Sequence, residues 1–452
     1  MNKFIRLFVG VSIFLSGVCV APVRADVRSQ ERVITLREGI KMVLEDSWLI
    51  KIALSDKDMA FQDSMIARSA LLPHLNANAA QIFYRSQQKA KFNSVVVPTA
   101  EKQSYSFGFD VYQTLFDFGK SLSNYQASKE LLRAQAENIE SVKRVAILEF
   151  IVAYFDLLEA GKMIEVAEKE VQSLTSYSSD IEHLYEQGSA VKNDLLPAQV
   201  RLADARQRLI AARSGREVAL ARLNNILALP LREKITVRDV LMKPPVFPEI
   251  EEAWAMAQRQ RPELAFFRDL VEASSLSAKA KSVENLPTLF ADGGYSYTKN
   301  KFLEPQDNAF IQLGAKVNLY DGGASRAELL KERSRHGQLL ETKDKLVEDI
   351  KFEVEDSYLG LKDACEKVLV AKDAVQQAEE NVRVNRVKYA EGSATSTDVL
   401  EAITLETIAR TNYNSNDYEL KRNYAKLMYS MGIDLTLIYE MMERRQNGPA
   451  KH

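Results

Sequence analysis

Residues 204 positions apart repeat along this 452-residue chain, and that repetition constrains its fold more than any single motif. Residues 389–400 read YAEGSATSTDVL, and residues 185–196 read YEQGSAVKNDLL. The same offset carries Asp117 onto Asp321, Gly119 onto Gly323, Tyr154 onto Tyr358 and Leu223 onto Leu427. A long internal duplication therefore organises the chain, and each copy must be read as a unit.

Five segments follow from this. Residues 1–25 carry Lys3 and Arg6, an apolar run over 7–20 and the small-residue site Val23-Arg24-Ala25, the pattern of a secretory signal peptide. The first repeat occupies 26–229, a proline-bearing linker 230–248, the second repeat 249–433, and a tail 434–452. Beyond the signal no apolar run approaches ~18 residues, so a membrane would have to be crossed by strands rather than helices. Past the leader Cys365 stands alone, and His74, His183, His336 and His452 are too scattered for a metal motif. No cofactor is expected. With 60 basic against 62 acidic residues, nothing points to nucleic acid.

Each copy has the same internal order. Residues 36–70 carry apolar side chains at helical spacing and are expected to form one amphipathic helix ended by Pro73. The period then changes to two. Strands are expected near 75–84 and 104–115 in the first copy, and near 289–298 and 311–319 in the second, with a polar loop over 86–102. At about 12–15 residues each, tilted strands would cross a hydrocarbon layer. Four strands cannot close a barrel, and an open edge cannot sit in lipid, so several copies would have to share one.

A long proline-free helix follows, with Ala153, Leu157, Ala160, Ile164, Ala167, Val171 and Leu174 alternating steps of four and three. Leu361, Ala364, Val368, Ala371, Val375, Ala378 and Val382 repeat the seam in the second copy. A 3.5-residue seam specifies supercoiled helices, and about 65 residues reach ~98 Å. Gly188 and Gly392 then turn the chain back, because glycine leaves the right-handed helical region without steric cost. The helices return over about 195–229 and 399–431. The fold class is thus mostly α, a long antiparallel coiled coil with four strands per copy of the chain.

With these residues in place, the chain resembles the TolC-type family of outer-membrane efflux and secretion channels. The marks are Arg261-Pro262-Glu263-Leu264, the Leu72-Pro73 and Leu286-Pro287 junctions, Asp321-Gly322-Gly323, and Gly392-Ser393 followed by Asp398-Val399-Leu400 and Ala402. The resemblance implies a homotrimer with one 12-stranded barrel in outer-membrane lipid and an α-barrel reaching into the periplasm. It also implies two partners, a periplasmic adaptor and an inner-membrane pump, which together open the helical tip. The implied function is the exit duct of a tripartite efflux or type I secretion system. The alternative is a periplasmic coiled-coil scaffold or adaptor that conducts nothing.

By the same resemblance, Asp398 and Glu401 match acidic residues that narrow the periplasmic gate, with Asp194 as the first-copy counterpart. Helix capping is an equally simple account of Asp398 and of Asp194. Ala394 stands where one version of the family pattern has an arginine, so closure must use other partners, with Tyr389, Lys388 and Arg386 as candidates. Gly188, Ser189, Gly392 and Ser393 form the turns expected to meet the adaptor. No nucleophile, base and orienter assemble by motif, and Gly119-Lys120-Ser121 lacks the first glycine of a phosphate loop, since Thr114 occupies that place. No enzyme is expected.

Overall fold

The computed structural model describes residues 32–240 and 248–436. The expected signal peptide, residues 241–247 of the linker and the tail beyond 436 lie outside the described residues. In chain order the elements are β1 (Arg32–Ile34), α1 (Leu36–Asp46), α2 (Trp48–Ser69), β2 (His74–Phe83), β3 (Lys89–Phe92), β4 (Val95–Pro98), β5 (Gln103–Phe116) and α3 (Lys120–Glu186). They continue with α4 (Lys192–Ile226), β6 (Ile235–Val237), α5 (Ile250–Gln260), α6 (Pro262–Ser282), β7 (Thr288–Lys299), β8 (Asp307–Lys316), α7 (Ala324–Ala390) and α8 (Ser396–Ser430).

The long helices α3 and α7 are each 67 residues, about 100 Å at ~1.5 Å per residue. Both start from the same turn. Gly119 and Gly323 take left-handed φ of 84° and 90°, a conformation open to glycine at little cost. Asp117 accepts hydrogen bonds from the amides of Gly119 (3.1 Å) and Ser121 (2.8 Å), and Asp321 does the same with Gly323 (3.0 Å) and Ser325 (2.9 Å). Each carboxylate thereby satisfies amides that a helix start leaves open. The expected seams are buried or half-buried along both helices.

Strands β2, β5, β7 and β8 form one antiparallel sheet in that order. The upper helices follow the same order, with α2 against α3, α3 against α6 and α6 against α7. Below, α4 packs on α3, α3 on α8 and α8 on α7. Between these layers lies the main core, where Phe150, Tyr154 and Phe155 of α3 meet Ile34, Leu36, Leu223, Leu361 and Leu427. Gly39 is required there, because a Cβ would stand 2.0 Å from the Phe150 ring. Tyr154 donates to the carbonyls of Ile34 (3.3 Å) and Arg238 (2.6 Å), tying the parallel β1–β6 pair to the long helix.

The Arg-Pro-Glu-Leu stretch starts α6 in this region. Buried Arg261 lies 3.0 Å from both Glu263 and Glu353 and 4.8 Å from the centre of the Tyr429 ring. Burial opposes the guanidinium charge, but the two carboxylates outweigh it and strengthen its hold on the proton.

The elements depart from the sequence expectations in four places. The expected single helix over 36–70 is two, because Ser47 adopts an extended backbone (φ −55°, ψ 129°) between α1 and α2. The loop expected over 86–102 contains the β3–β4 hairpin, turned at Asn93 with φ 50°. Strands β2 and β8 are 10 residues long, below the length expected of each strand, and β8 runs over 307–316 rather than 311–319, while β5 and β7 reach 14 and 12. The returning helices begin three residues earlier than expected, at Lys192 and Ser396.

Candidate functional site

Two parts of the molecule can carry function: the paired helical tips and the two-faced sheet at the opposite end. The tips have matching turns. Gly188 and Gly392 take φ of 74° and 73°, and the amides of Ser189 and Ser393 donate to Leu184 and Lys388 carbonyls at 2.8 Å in each case. These bonds satisfy the last carbonyls of α3 and α7. All four turn residues are exposed.

The turns lead into different helix starts. In the second tip Thr395 is the N-cap, and its hydroxyl accepts from the Asp398 amide at 3.3 Å. Asp398 accepts in return from the amide and hydroxyl of Thr395, both at 2.7 Å. These bonds hold the Asp398 carboxyl below its ordinary range. In the first tip the N-cap is Val191, which offers no side-chain acceptor. The capping expected of Asp194 therefore does not form; capping needs a side chain at position 191 that can exchange hydrogen bonds with it.

The structure brings the tips together through a second apolar cluster. Leu174, Tyr177 and Ile181 of α3 and Leu195 and Ala198 of α4 pack with Val399, Leu400 and Ile403 of α8. Tyr177 donates to the Ser396 carbonyl at 3.2 Å, and the Ser396 hydroxyl donates to the Asp194 carbonyl at 3.4 Å. The Tyr177 and Tyr389 rings meet edge to face, 5.8 Å apart. Burial pushes the Tyr177 hydroxyl up to about 12 and raises that of Tyr389, with Asp194 adding to both. Arg386 donates to the Ser173 carbonyl at 3.3 Å, while its buried Nε has no hydrogen-bond partner among the described residues.

Asp194 thus faces the seam between the tips, half-buried, whereas Asp398 is exposed and committed to its cap. Glu401 is exposed one turn further on, and its side chain makes no hydrogen bond or ion pair among the described residues. Of the three candidate closing partners, Arg386 and Tyr389 reach the facing tip, and Lys388 contributes its carbonyl to the turn. Sequence reasoning missed Tyr177 and Ser396. Their positions in the other copy hold Asn381 and Lys192, so a search for shared residues passes over them. Disagreement between the copies is the signal that could have found them.

At the other end, strand pairing sorts the sheet into two chemical faces. Tyr105, Phe107 and Phe109 stand opposite Lys299, Tyr297 and Tyr295, and the same face continues through Ala77, Ala79, Ile311 and Leu313. The opposite face carries Asn76, Asn78, Ser104, Ser106, Asp110, Asp292, Ser296 and Gln312. Aromatic pairs cross the β5–β7 ladder at Phe107–Tyr297 (5.2 Å) and Phe109–Tyr295 (5.8 Å). On the polar side Phe290 and Phe310 lie over Gly314 and Gly294, where a Cβ would come within 2.4 and 2.9 Å of the rings. An apolar face backed by a polar one, on strands of membrane-crossing length, is the pattern of a transmembrane barrel wall.

No helix among the described residues is long and apolar enough to cross a membrane, and no group of three or more His, Cys, Asp or Glu among them could hold a metal ion.

The comparisons with known proteins agree with this geometry. The chain is 23% identical to the alkaline protease secretion protein AprF of Pseudomonas aeruginosa over 428 residues, covering 89% of this chain and 86% of that one. It is 23% identical to the outer membrane protein TolC of Vibrio cholerae over 450 residues, 96% of each. The structure matches the Campylobacter jejuni CmeC outer membrane channel with a TM-score of 0.78 at 15% identity, covering 90% of this chain and 89% of that one. The sequence model of the family described as outer membrane efflux protein matches residues 40–229 and 254–433. The chain belongs to the outer membrane efflux protein family.

Proposed function

We propose that this protein is the outer-membrane exit duct of a tripartite efflux or type I secretion system, passively conducting what an inner-membrane pump delivers. The observation that carries this is one two-faced antiparallel sheet standing on helices about 100 Å long. A periplasmic scaffold that conducts nothing has no use for such a sheet.

The protomer is an open slab, and its two edges need partners. One edge is β2 with α2, where Ile52, Met59 and Ile66 lie seven residues apart and stay exposed. The other is β8 with α7, where Ile311 (89% exposed), Leu313 (75%) and Phe352 (73%) are bare. Unpaired strand edges are not tolerated in lipid. Three copies joined edge to edge would give a closed barrel of twelve strands and extend the helical layer into a tube. The two repeats, 26–229 and 249–433, act as units of this assembly, joined by the linker over 230–248.

The tips are then the periplasmic gate. Asp398, Glu401 and Asp194 bring negative charge to the narrowing end, which favours cations. Gly188, Ser189, Gly392 and Ser393 form the surface that meets the periplasmic adaptor. No catalytic step and no cofactor belong to this function. Light scattering of the detergent-solubilised protein tests the assembly. A mass of three chains is expected, and a monomer in mild detergent would overturn the shared barrel.

A further inference from the structure

The two ends of the sheet differ in charge. Residues 84–103 and 299–307, at the end away from the helices, hold Arg85, Lys89, Lys91, Lys102, Lys299 and Lys301 against Glu101, Glu304 and Asp307, a formal excess of three positive charges. Residues 71–76, 112–120, 286–290 and 314–322, at the helical end, hold Lys120 and Lys316 against Asp117 and Asp321 and balance. Only Lys301 of the six distal cations has a carboxylate partner among the described residues, Glu101 at 3.6 Å. Lys299 instead lies over the Tyr105 ring at 5.2 Å, on the apolar face of the wall.

The β3–β4 hairpin projects from the same end and is itself two-sided. Its pairing puts Ala90, Phe92, Val95 and Val97 on one side and Lys89 and Lys91, with Val96 and Pro98, on the other. Phe92 and Val95 are exposed. The apolar side therefore has no cover among the described residues, and Phe83, at the end of β2 that leads to the hairpin, is exposed as well. An element with one apolar side and one cationic side matches a membrane interface that carries anionic groups.

We propose that this end of the sheet binds phosphate-bearing lipid headgroups of the outer leaflet, with the hairpin lying on that surface through Phe92, Val95 and Val97. The lysines reach headgroup phosphates on flexible stems while the valines and Phe92 enter the acyl boundary. The proposal rests on the reading of the sheet as a membrane wall. Its alternative is a lid, with hairpins of several copies meeting over the barrel mouth.

The test places one fluorophore on the hairpin. Trp48 and Trp254 are replaced by Phe, and Phe92→Trp is introduced in the full chain, reconstituted in vesicles with brominated acyl chains. Vesicles of phosphatidylcholine alone are compared with vesicles that also hold lipopolysaccharide. We expect quenching of Trp at position 92 to rise at least about twofold with the anionic lipid. That gain should vanish with Arg85→Gln, Lys89→Gln, Lys91→Gln and Lys299→Gln together, since each cation contributes about a fivefold preference for an anionic surface. Equal quenching in both vesicles, or a gain unchanged in the Gln variant, overturns the phosphate preference. An unquenched Trp in vesicles that conduct ions overturns the lipid contact and favours the lid. A protein that neither inserts nor conducts overturns the membrane wall, and this proposal with it.

Discussion

The tip joining α3 to α4 and the tip joining α7 to α8 share a glycine, a serine and the backbone hydrogen bond that the serine amide donates, yet only the second builds its own helix start. Thr395 and Asp398 close a reciprocal box there, while Val191 leaves the amides of α4 without a side-chain acceptor. The contrast extends to the next turn, where Glu401 in α8 corresponds to Pro197 in α4. The second tip is therefore set from within. The first is held by its apolar contacts and by the link from Asp194 through Ser396 to Tyr177. If the tips separate, α8 keeps its cap and α4 loses that link.

The largest expected effect comes from removing what the tips share. Ile181 is fully buried in the common cluster, and Ile181→Ala should cost about 2–5 kcal/mol of local stability. Hydrogen exchange at the starts of both α4 and α8 should accelerate together; acceleration in only one would show that the tips are not coupled. Next come the caps. Thr395→Ala should destabilise the start of α8 by about 1 kcal/mol, and Val191→Thr, which places a cap three residues before Asp194, should stabilise the start of α4 by a similar amount. Amide protection measured in both variants should move in opposite directions.

A smaller change is expected from Tyr177→Phe, which deletes one hydrogen bond to the Ser396 carbonyl and should cost about 0.5–1.5 kcal/mol. It should loosen α4 more than α8. The mildest lever is acid. The Asp398 carboxyl sits below its ordinary value of 3.8, so its contribution to the cap is present above that value and fades as pH falls through the lower folded-state value. Protection at the start of α8 should fall in that window by an amount that Asp398→Asn removes. An unaltered acid response in the variant would place its origin elsewhere.

Much of this architecture is legible in the sequence because long-period patterns are robust to local noise. The seams from Leu157 to Leu174 and from Leu361 to Ala378 locate α3 and α7, and the glycines at 188 and 392 locate their turns. Local punctuation is harder to read. Ser47 interrupts a helical pattern through its backbone conformation alone, without a proline or glycine to announce it. The β3–β4 hairpin hides among Gln, Lys and Ser because its two short strands pack mainly on each other. At the tips, repetition points to Asp398 and Asp194 as equals. The structure separates them through position 191, where valine and threonine differ in one hydroxyl that can accept a hydrogen bond.

The distinction between a duct and a scaffold is settled most directly by single-channel recording on purified protein in planar bilayers. We expect stepwise currents from the wild-type protein, small while the tips are closed, and larger, less cation-preferring currents from Asp398→Ala combined with Glu401→Ala. Equal currents from both would leave the duct in place and reduce those carboxylates to local structure. Failure of either protein to insert, together with solubility in the absence of detergent, would contradict the account.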